Sequence, residues 1–453
     1  MKKNRISALL FAGLALFASC DKLLEFEPQN NVSDEGIIVD QISAQKALNG
    51  AYSATADGVA SSYVSWNIAA DNMVPFTAQS TIIAFLPIVG SADRTSGFGY
   101  NGNYRAINRV NNVIANVNEL PDNKFTADGK NVILAQAYTL RALSYINLTV
   151  TFGAVPIVTK PSNATNQNGI LQSPREQVFA QALNDLNQAE TLFGSNATLA
   201  DRGRISVWAV YALKARLYLY TNQWDLAEQY ATKVIENTAF QLTATPEGYF
   251  LTQKSSESIF EFPFSTSDKI PLYTYYLPSA NGGLQDYVVT PALADSLNDP
   301  SIGGNRSQLI FNRPAPNTLP YFVREFTKTD GSSSLQVFRL AEQYLIRAEA
   351  RLKKSTADIA GATADINVIR NRASVAPLAS SLSADDLKLA LEKERRYELA
   401  FEGHRYFDII RTGRAPLVFG QWEARYENPI YWVFPFPISV LTNDPDLTQN
   451  AGY

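Results

Sequence analysis

The chain has 453 residues, of which 46% are hydrophobic and 18% charged, and its formal charge is −4. That apolar content supports a substantial core and excludes a disordered chain. The acidic balance argues against a nucleic-acid partner, because phosphate binding needs a clustered basic surface.

The amino terminus reads as an export signal. Lys2, Lys3 and Arg5 precede an uncharged apolar run from Ile6 to Ala18, followed by the small residues Ala18 and Ser19. The run is too short to cross a hydrocarbon core that takes about 20 helical residues. Cys20, the only cysteine of the chain, follows at once. Phe17-Ala18-Ser19-Cys20 resembles a bacterial lipobox, in which the cysteine sulfur receives a diacylglycerol before cleavage. On this reading residues 1–19 are a signal peptide and 20–40 a lipidated, extended arm. Losing the three cations of the signal leaves 36 basic against 43 acidic residues, a charge of −7.

Helical periodicity dominates the rest, which reads as one unit from 41 to 453. A first helix starts in "QISAQKALNGAYSAT", and an irregular stretch is expected over about 56–101. In "NYRAINRVNNVIANVNEL", Ile107, Val110, Ile114 and Val117 form one amphipathic stripe, stopped by Pro121. "NVILAQAYTLRALSYINLTV" is apolar almost all round and should lie deep. In "SPREQVFAQALNDLNQAETLF" the expected cap is Ser173, with Pro174 at the first helical position and Glu176 completing a capping box.

Two segments, 214–236 and 349–370, align at an offset of 135, so that Ala215-Arg216-Leu217 falls on Ala350-Arg351-Leu352, Ala227 on Ala362 and Val234 on Ile369. Small residues at fixed places let paired helices approach closely, as in stacked tetratricopeptide-type (TPR) units. Between these units, residues 240–336 lose the 3.6 period and carry Pro, Gly, Tyr and Asn with short β-like runs such as "SIFEFPF". Long loops on a helical scaffold are where binding function concentrates.

Five blocks then stand in order: "LRALSYINLTVTFGAVPIVT", "VFRLAEQYLIRAEARLK", "INVIRNRA", "LEKERRYELAFEGHRYFDIIRTGR" and "VFPFPISVLTNDPDLTQNAGY". Together, behind a lipobox, they resemble the SusD/RagB family of surface nutrient-binding lipoproteins from Bacteroidetes. The resemblance implies a mainly α, TPR-like scaffold with long loops and a small β component on the ligand face. It also implies an outer-membrane location, a SusC-like TonB-dependent transporter as partner, and an oligosaccharide or, in some members, a peptide as ligand.

The most charged block is a tempting catalytic site, since Glu398 and Glu402 lie four apart beside Arg395, Arg405 and His404, the only histidine. A retaining glycosidase needs its two carboxyls on opposite sides of the scissile bond, and carboxylates at i and i+4 of one helix point the same way. The block is therefore expected to be a structural ion-pair network of Arg395, Glu398, Glu402, Arg405, Asp408 and Arg411, and the protein a binder rather than an enzyme, with a surface hydrolase as the rival reading. One histidine cannot make a zinc site, and calcium held by loop oxygens stays open. No Walker lysine, Gly-x-Ser-x-Gly elbow or other cofactor motif appears. Ligand contacts are expected from aromatics and amides of the irregular stretches: Trp66, Tyr100, Tyr273, Tyr275, Tyr276, Asn281, Gln285 and Tyr287. Tyr and Trp faces stack on the C–H faces of sugars while amides bond the hydroxyls.

Overall fold

The structure, a computed structural model, describes residues 38–76, 99–162, 169–196, 198–199, 201–270, 272–279, 282–284, 286–312 and 320–453. Cys20 and its lipobox lie outside these residues, as do Asn281, Gln285 and the side chain of Tyr273.

The chain opens with α1 (Gln41–Ala69), which starts on a capping box. Asp40 Oδ1 accepts the Ser43 N–H at 2.8 Å while Ser43 Oγ accepts the Asp40 N–H at 3.0 Å. This helix runs far beyond its expected end and takes in the first part of the stretch read as irregular. The reason is physical: from Ala51 to Ala69 it is buried on nearly every side, so it shows no amphipathic alternation to read. Its neighbour α2 (Tyr100–Glu119) buries the predicted stripe, with Ile107, Val110, Ile114 and Val117 all in the core. Gly58 of α1 and Gly102 of α2 let the two backbones touch. A Cβ on Gly58 would lie 2.9 Å from the backbone of Gly102 and Asn103.

Next comes α3 (Gly129–Phe152), buried along its length from Ile133 to Phe152 except for Tyr138. It ends at Gly153, whose φ of +77° only glycine adopts easily. The turn leads into a two-stranded ribbon of β2 (Val155–Pro156) and β3 (Gln172–Ser173). Ser173, expected to cap the following helix, belongs to this ribbon. Pro174 takes the cap position of α4 (Arg175–Phe193) and makes no side-chain cap bond.

Two hairpins follow the sequence alignment closely. The first is α5 (Val207–Tyr220) with α6 (Trp224–Ile235), and the second is α7 (Leu340–Lys353) with α8 (Ile359–Arg372). The starts of α6 and α8 differ by the same 135 residues as the sequence match. Ala215, Ala227 and Ala231 meet Ile346 and Ala350 in one buried cluster, so the hairpins stack through small residues. Ala348, Ala362 and Ile366 carry the stacking on to α9 (Ala384–Glu398) through Leu387 and Leu391. The last labelled helix, α10 (Arg405–Arg411), returns to α1.

The 240–336 stretch is built from short pieces, as expected. β4 (Ser258–Phe262) pairs antiparallel with β8 (Leu335–Arg339), wholly inside the core. A second sheet has the order β1 (Met73–Pro75), β5 (Tyr287–Val289), β7 (Tyr321–Val323), β6 (Ile310–Asn312), all antiparallel.

The helix crossing gives a test. Alanine is the better helix former by up to about 1 kcal/mol, yet at Gly58 its Cβ would press on backbone that has no rotamer to yield. Gly58→Ala is expected to destabilise the fold by about 1–3 kcal/mol, read by denaturant unfolding. A gain in stability would refute the close crossing.

Candidate functional site

The charged block is a buried lattice. Arg339, at the junction of β8 and α7, is 1% exposed. Its guanidinium bonds Glu257 at 2.7 Å, Glu398 at 2.6 Å and Glu402 at 2.7 Å. Glu398 also pairs with Arg306 and Arg372, and Glu394 with Arg306 and Arg370. Arg395 and Arg411 share Asp408 at 2.7 Å each, Arg411 reaches Glu349 at 2.6 Å, and Arg405 clamps Asp71 through two bonds. The expected residues are all ion-paired, but not as a closed set. Glu398 and Glu402 take their cations from β8, α8 and Arg306, outside the block.

Burial raises the Glu398 carboxyl, but Arg372, Arg339 and Arg306 outweigh it and hold it well below the usual range. Glu402 differs. Burial pushes it up and Arg339 only partly offsets that. Burial also drives His404 down to about 3, so it is neutral at physiological pH. Both carboxylates converge on one guanidinium with no space between them for a sugar, which excludes this pair as a glycosidase centre. Among the described residues, no group of three or more His, Cys, Asp or Glu side chains is placed to hold a metal ion.

The aromatic candidates divide. Trp66 lies in the core: its Nε1 donates to Thr151 Oγ1 at 3.0 Å and its ring stands edge-on to Phe407 at 4.9 Å. Tyr276 and Tyr287 are 0% and 1% exposed. These three offer no open ring to a ligand, which corrects the expectation that they sit in loops. Trp66 is part of α1, while Tyr276 packs on Phe326 and Tyr287 points to the core side of β5. Tyr100 is the first residue of α2, edge-on to Phe152 and Phe436, with its edge on a surface cleft. Tyr275 is half-buried in the short helix Leu272–Tyr276, which is tied to the segment before β5 by Leu284 N–H to Thr274 O and Asp286 N–H to Tyr275 O.

That tie matters because β1 carries the other stretch to the same place. The register sets Pro75 opposite Tyr287, and the Phe76 N–H donates to Asp286 O at 2.9 Å. Side chains alternate across a strand, so Val74, Val288, Phe322 and Phe311 share one face of the sheet in register. Phe76 follows on that face, 41% exposed, with its ring 6.3 Å from Phe322, itself 5.6 Å from Phe311. Met73, Tyr287, Val289, Val323 and Ile310 fill the opposite face and join the core. The result is an aromatic row on a sheet anchored from behind, in which Phe76 and Phe311 are the accessible rings and Phe322 is 2% exposed. The half-buried Tyr275 lies in the helix tied to its edge, while Tyr321, paired with Val289, lies on the core face. Phe76, Phe311 and Tyr321 escaped the sequence reading. The signal was the alternation in "MVPF" and "PYFV", each too short to rise above its loop.

Comparison with known proteins agrees with this architecture. The model of the SusD family matches residues 321–453, and one described as "Starch-binding associating with outer membrane" matches 22–219. A SusD-like protein of Formosa agariphila is 24% identical over 100% of this chain and 99% of its own length. The starch-binding protein SusD of Bacteroides thetaiotaomicron is 30% identical, over 27% of this chain and 22% of its own. Among solved structures, a laminarin-binding SusD-like protein superposes with a TM-score of 0.75 at 22% identity, covering 92% of this chain and 100% of that one. The surface glycan-binding protein A of Bacteroides uniformis gives 0.76 at 20% identity, over 90% and 99%.

The lattice predicts two substitutions of opposite sign. Glu398→Gln leaves three buried guanidinium groups short of a counter-charge and should cost about 3–5 kcal/mol, with ligand affinity unchanged. Because the Glu398 pKa is depressed in the fold, its contribution is present above the ordinary carboxyl value of 4.5 and lost as pH falls below it. Glu325 is the opposite case. It accepts a bond from Tyr249 Oη at 3.1 Å, and burial, then the Glu402 charge, raise it well above 4.5. The fold therefore loses stability as pH rises through 4.5 and the unfolded chain ionises. Glu325→Gln keeps an acceptor for Tyr249 and removes that loss. Its melting temperature should exceed wild type at pH 7 and match it at about pH 3.5; equal shifts at both would refute the protonated state.

Proposed function

We propose that this chain, which belongs to the SusD/RagB family, is a lipid-anchored surface protein of the outer membrane. It captures an oligosaccharide and passes it to a SusC-like TonB-dependent transporter, over which it acts as a lid. It binds without catalysis. The observation that carries the ligand site is the β1–β5 pairing, which joins the two loop-rich stretches and sets Phe76 against Phe322 with Phe311 next in the row, while backbone bonds through Asp286 tie the Tyr275 helix to its edge. Starch-binding, laminarin-binding and glycan-binding relatives support a carbohydrate as ligand. Rings fixed by a strand register keep their mutual positions, so a flat sugar face meets a preformed surface.

Stacking on each ring is weak and shared. Phe76→Ala with Tyr275→Ala and Phe311→Ala should weaken glycan binding at least tenfold, about 1.4 kcal/mol, with cooperative melting retained. A glycan and peptide array identifies the ligand class. Turnover of any bound glycan would contradict the binding role, and a triple variant that binds as wild type would move the site elsewhere.

The anchor has its own test. Cys20→Ala should leave a folded protein that no longer takes up labelled palmitate, fractionates away from the outer membrane and fails to co-purify with a TonB-dependent barrel. Absence of label in the wild type would refute the lipobox reading.

A further inference from the structure

A second opening lies away from the aromatic row and shares none of its elements. It is a cleft of about 350 Å³ between α2, the segment around β2 and β3, and the carboxy-terminal segment. One side is lined by Tyr104, half-buried, and by the edge of Tyr100, which is 5% exposed, with ring centroids 4.7 Å apart. Tyr104 Oη donates to Pro156 O at 2.7 Å, so the ring is pinned to one wall. Asn108 Oδ1 accepts the Ser162 N–H at 2.7 Å and fixes the same wall farther along. Asn101 and Arg105 are exposed on the α2 side, and Asp444 faces them from the carboxy-terminal wall.

The chemistry is that of a neutral polyol site. Arg105 is paired with Asp57 at 2.9 Å, which removes most of its pull on an anion. The single carboxylate of Asp444 accepts hydroxyl hydrogens, and the Asn101 amide both donates and accepts. Aliphatic groups of Ile107, Val158, Ile170, Val440 and Leu447 fill the remaining surface. A volume at the low end of the small-molecule range suits one or two sugar rings rather than a long chain.

We infer that this cleft is a second carbohydrate subsite, separate from the platform at Phe76, which takes the end of a neutral hexose oligosaccharide. The inference rests on the carbohydrate reading of the platform.

Methyl labelling of Ile, Leu and Val separates the two sites in the full-length protein. The probes are maltohexaose, laminarihexaose and mannohexaose, each titrated alone. At least one should shift the methyls of Ile107, Val158, Ile170, Val440 and Leu447 as well as those of Val74 and Val288 beside the platform. Asn101→Ala with Asp444→Asn should weaken the cleft response at least fivefold and leave the platform response in place, and Phe76→Ala should do the reverse. Platform shifts without cleft shifts would overturn the subsite and keep the carbohydrate reading. Cleft shifts that survive the double substitution unchanged would also overturn it. Silence of both methyl sets toward all three probes would overturn the subsite and the carbohydrate reading together.

Discussion

A single guanidinium, Arg339, decides how the halves of the molecule meet. It sits where β8 becomes α7 and is fully enclosed. Four carboxylates and four guanidinium groups surround that point: Glu257, Glu394, Glu398 and Glu402 with Arg306, Arg339, Arg370 and Arg372. Buried charges need partners in fixed geometry, so β4, β8, α7, α8 and α9 admit one mutual arrangement. The arrangement also sets the turn after α9, where Gly403 at a φ of +76° places its backbone against the Trp66 ring. Through that contact the lattice reaches α1, and α1 leads directly into β1. The aromatic row thus stands on a strand whose root is fixed by charges deep in the helical scaffold.

This explains why the scaffold was legible in the sequence. The residues that carry the resemblance are the residues with obligatory partners. Glu342 bonds Arg216, Arg347 bonds Asp365, and Glu349 bonds Arg411. Asn367 exchanges two bonds with the backbone of Leu378. Each is a polar group whose burial is tolerable only when satisfied, so its identity and spacing cannot drift freely. The TPR-like offset was readable for a related reason, since alanines at helix contacts leave no room for larger side chains. Helix α1 was misread over its second half because a helix buried on all sides carries no stripe.

The ligand face lacks any such constraint. Phe76, Tyr275 and Phe311 are partly exposed, and no buried ion pair dictates their type or spacing. Phe76 meets Phe322 because β1 pairs with β5 more than 200 residues away, which no local period encodes. Aromatic clustering alone pointed partly to the core: Tyr276 and Tyr287 fill the interior, whereas Phe76 stands alone in its stretch. The aromatic row is a property of pairing, and pairing is visible only in three dimensions.

The carboxy terminus holds one more consequence. Asn450 Nδ2 donates to Phe152 O at the end of α3 and to Phe434 O, and Gln449 brackets the backbone of Phe436 from both sides. The ring of Phe436 stacks on Phe152 and meets Tyr100 edge-on. The early helices therefore close their aromatic interior with residues synthesised about 300 positions later. A chain made from its amino end has that interior unclosed until the 434–450 segment has emerged. Contacts of such long sequence separation form slowly, so closure of this aromatic interior is a late step of folding.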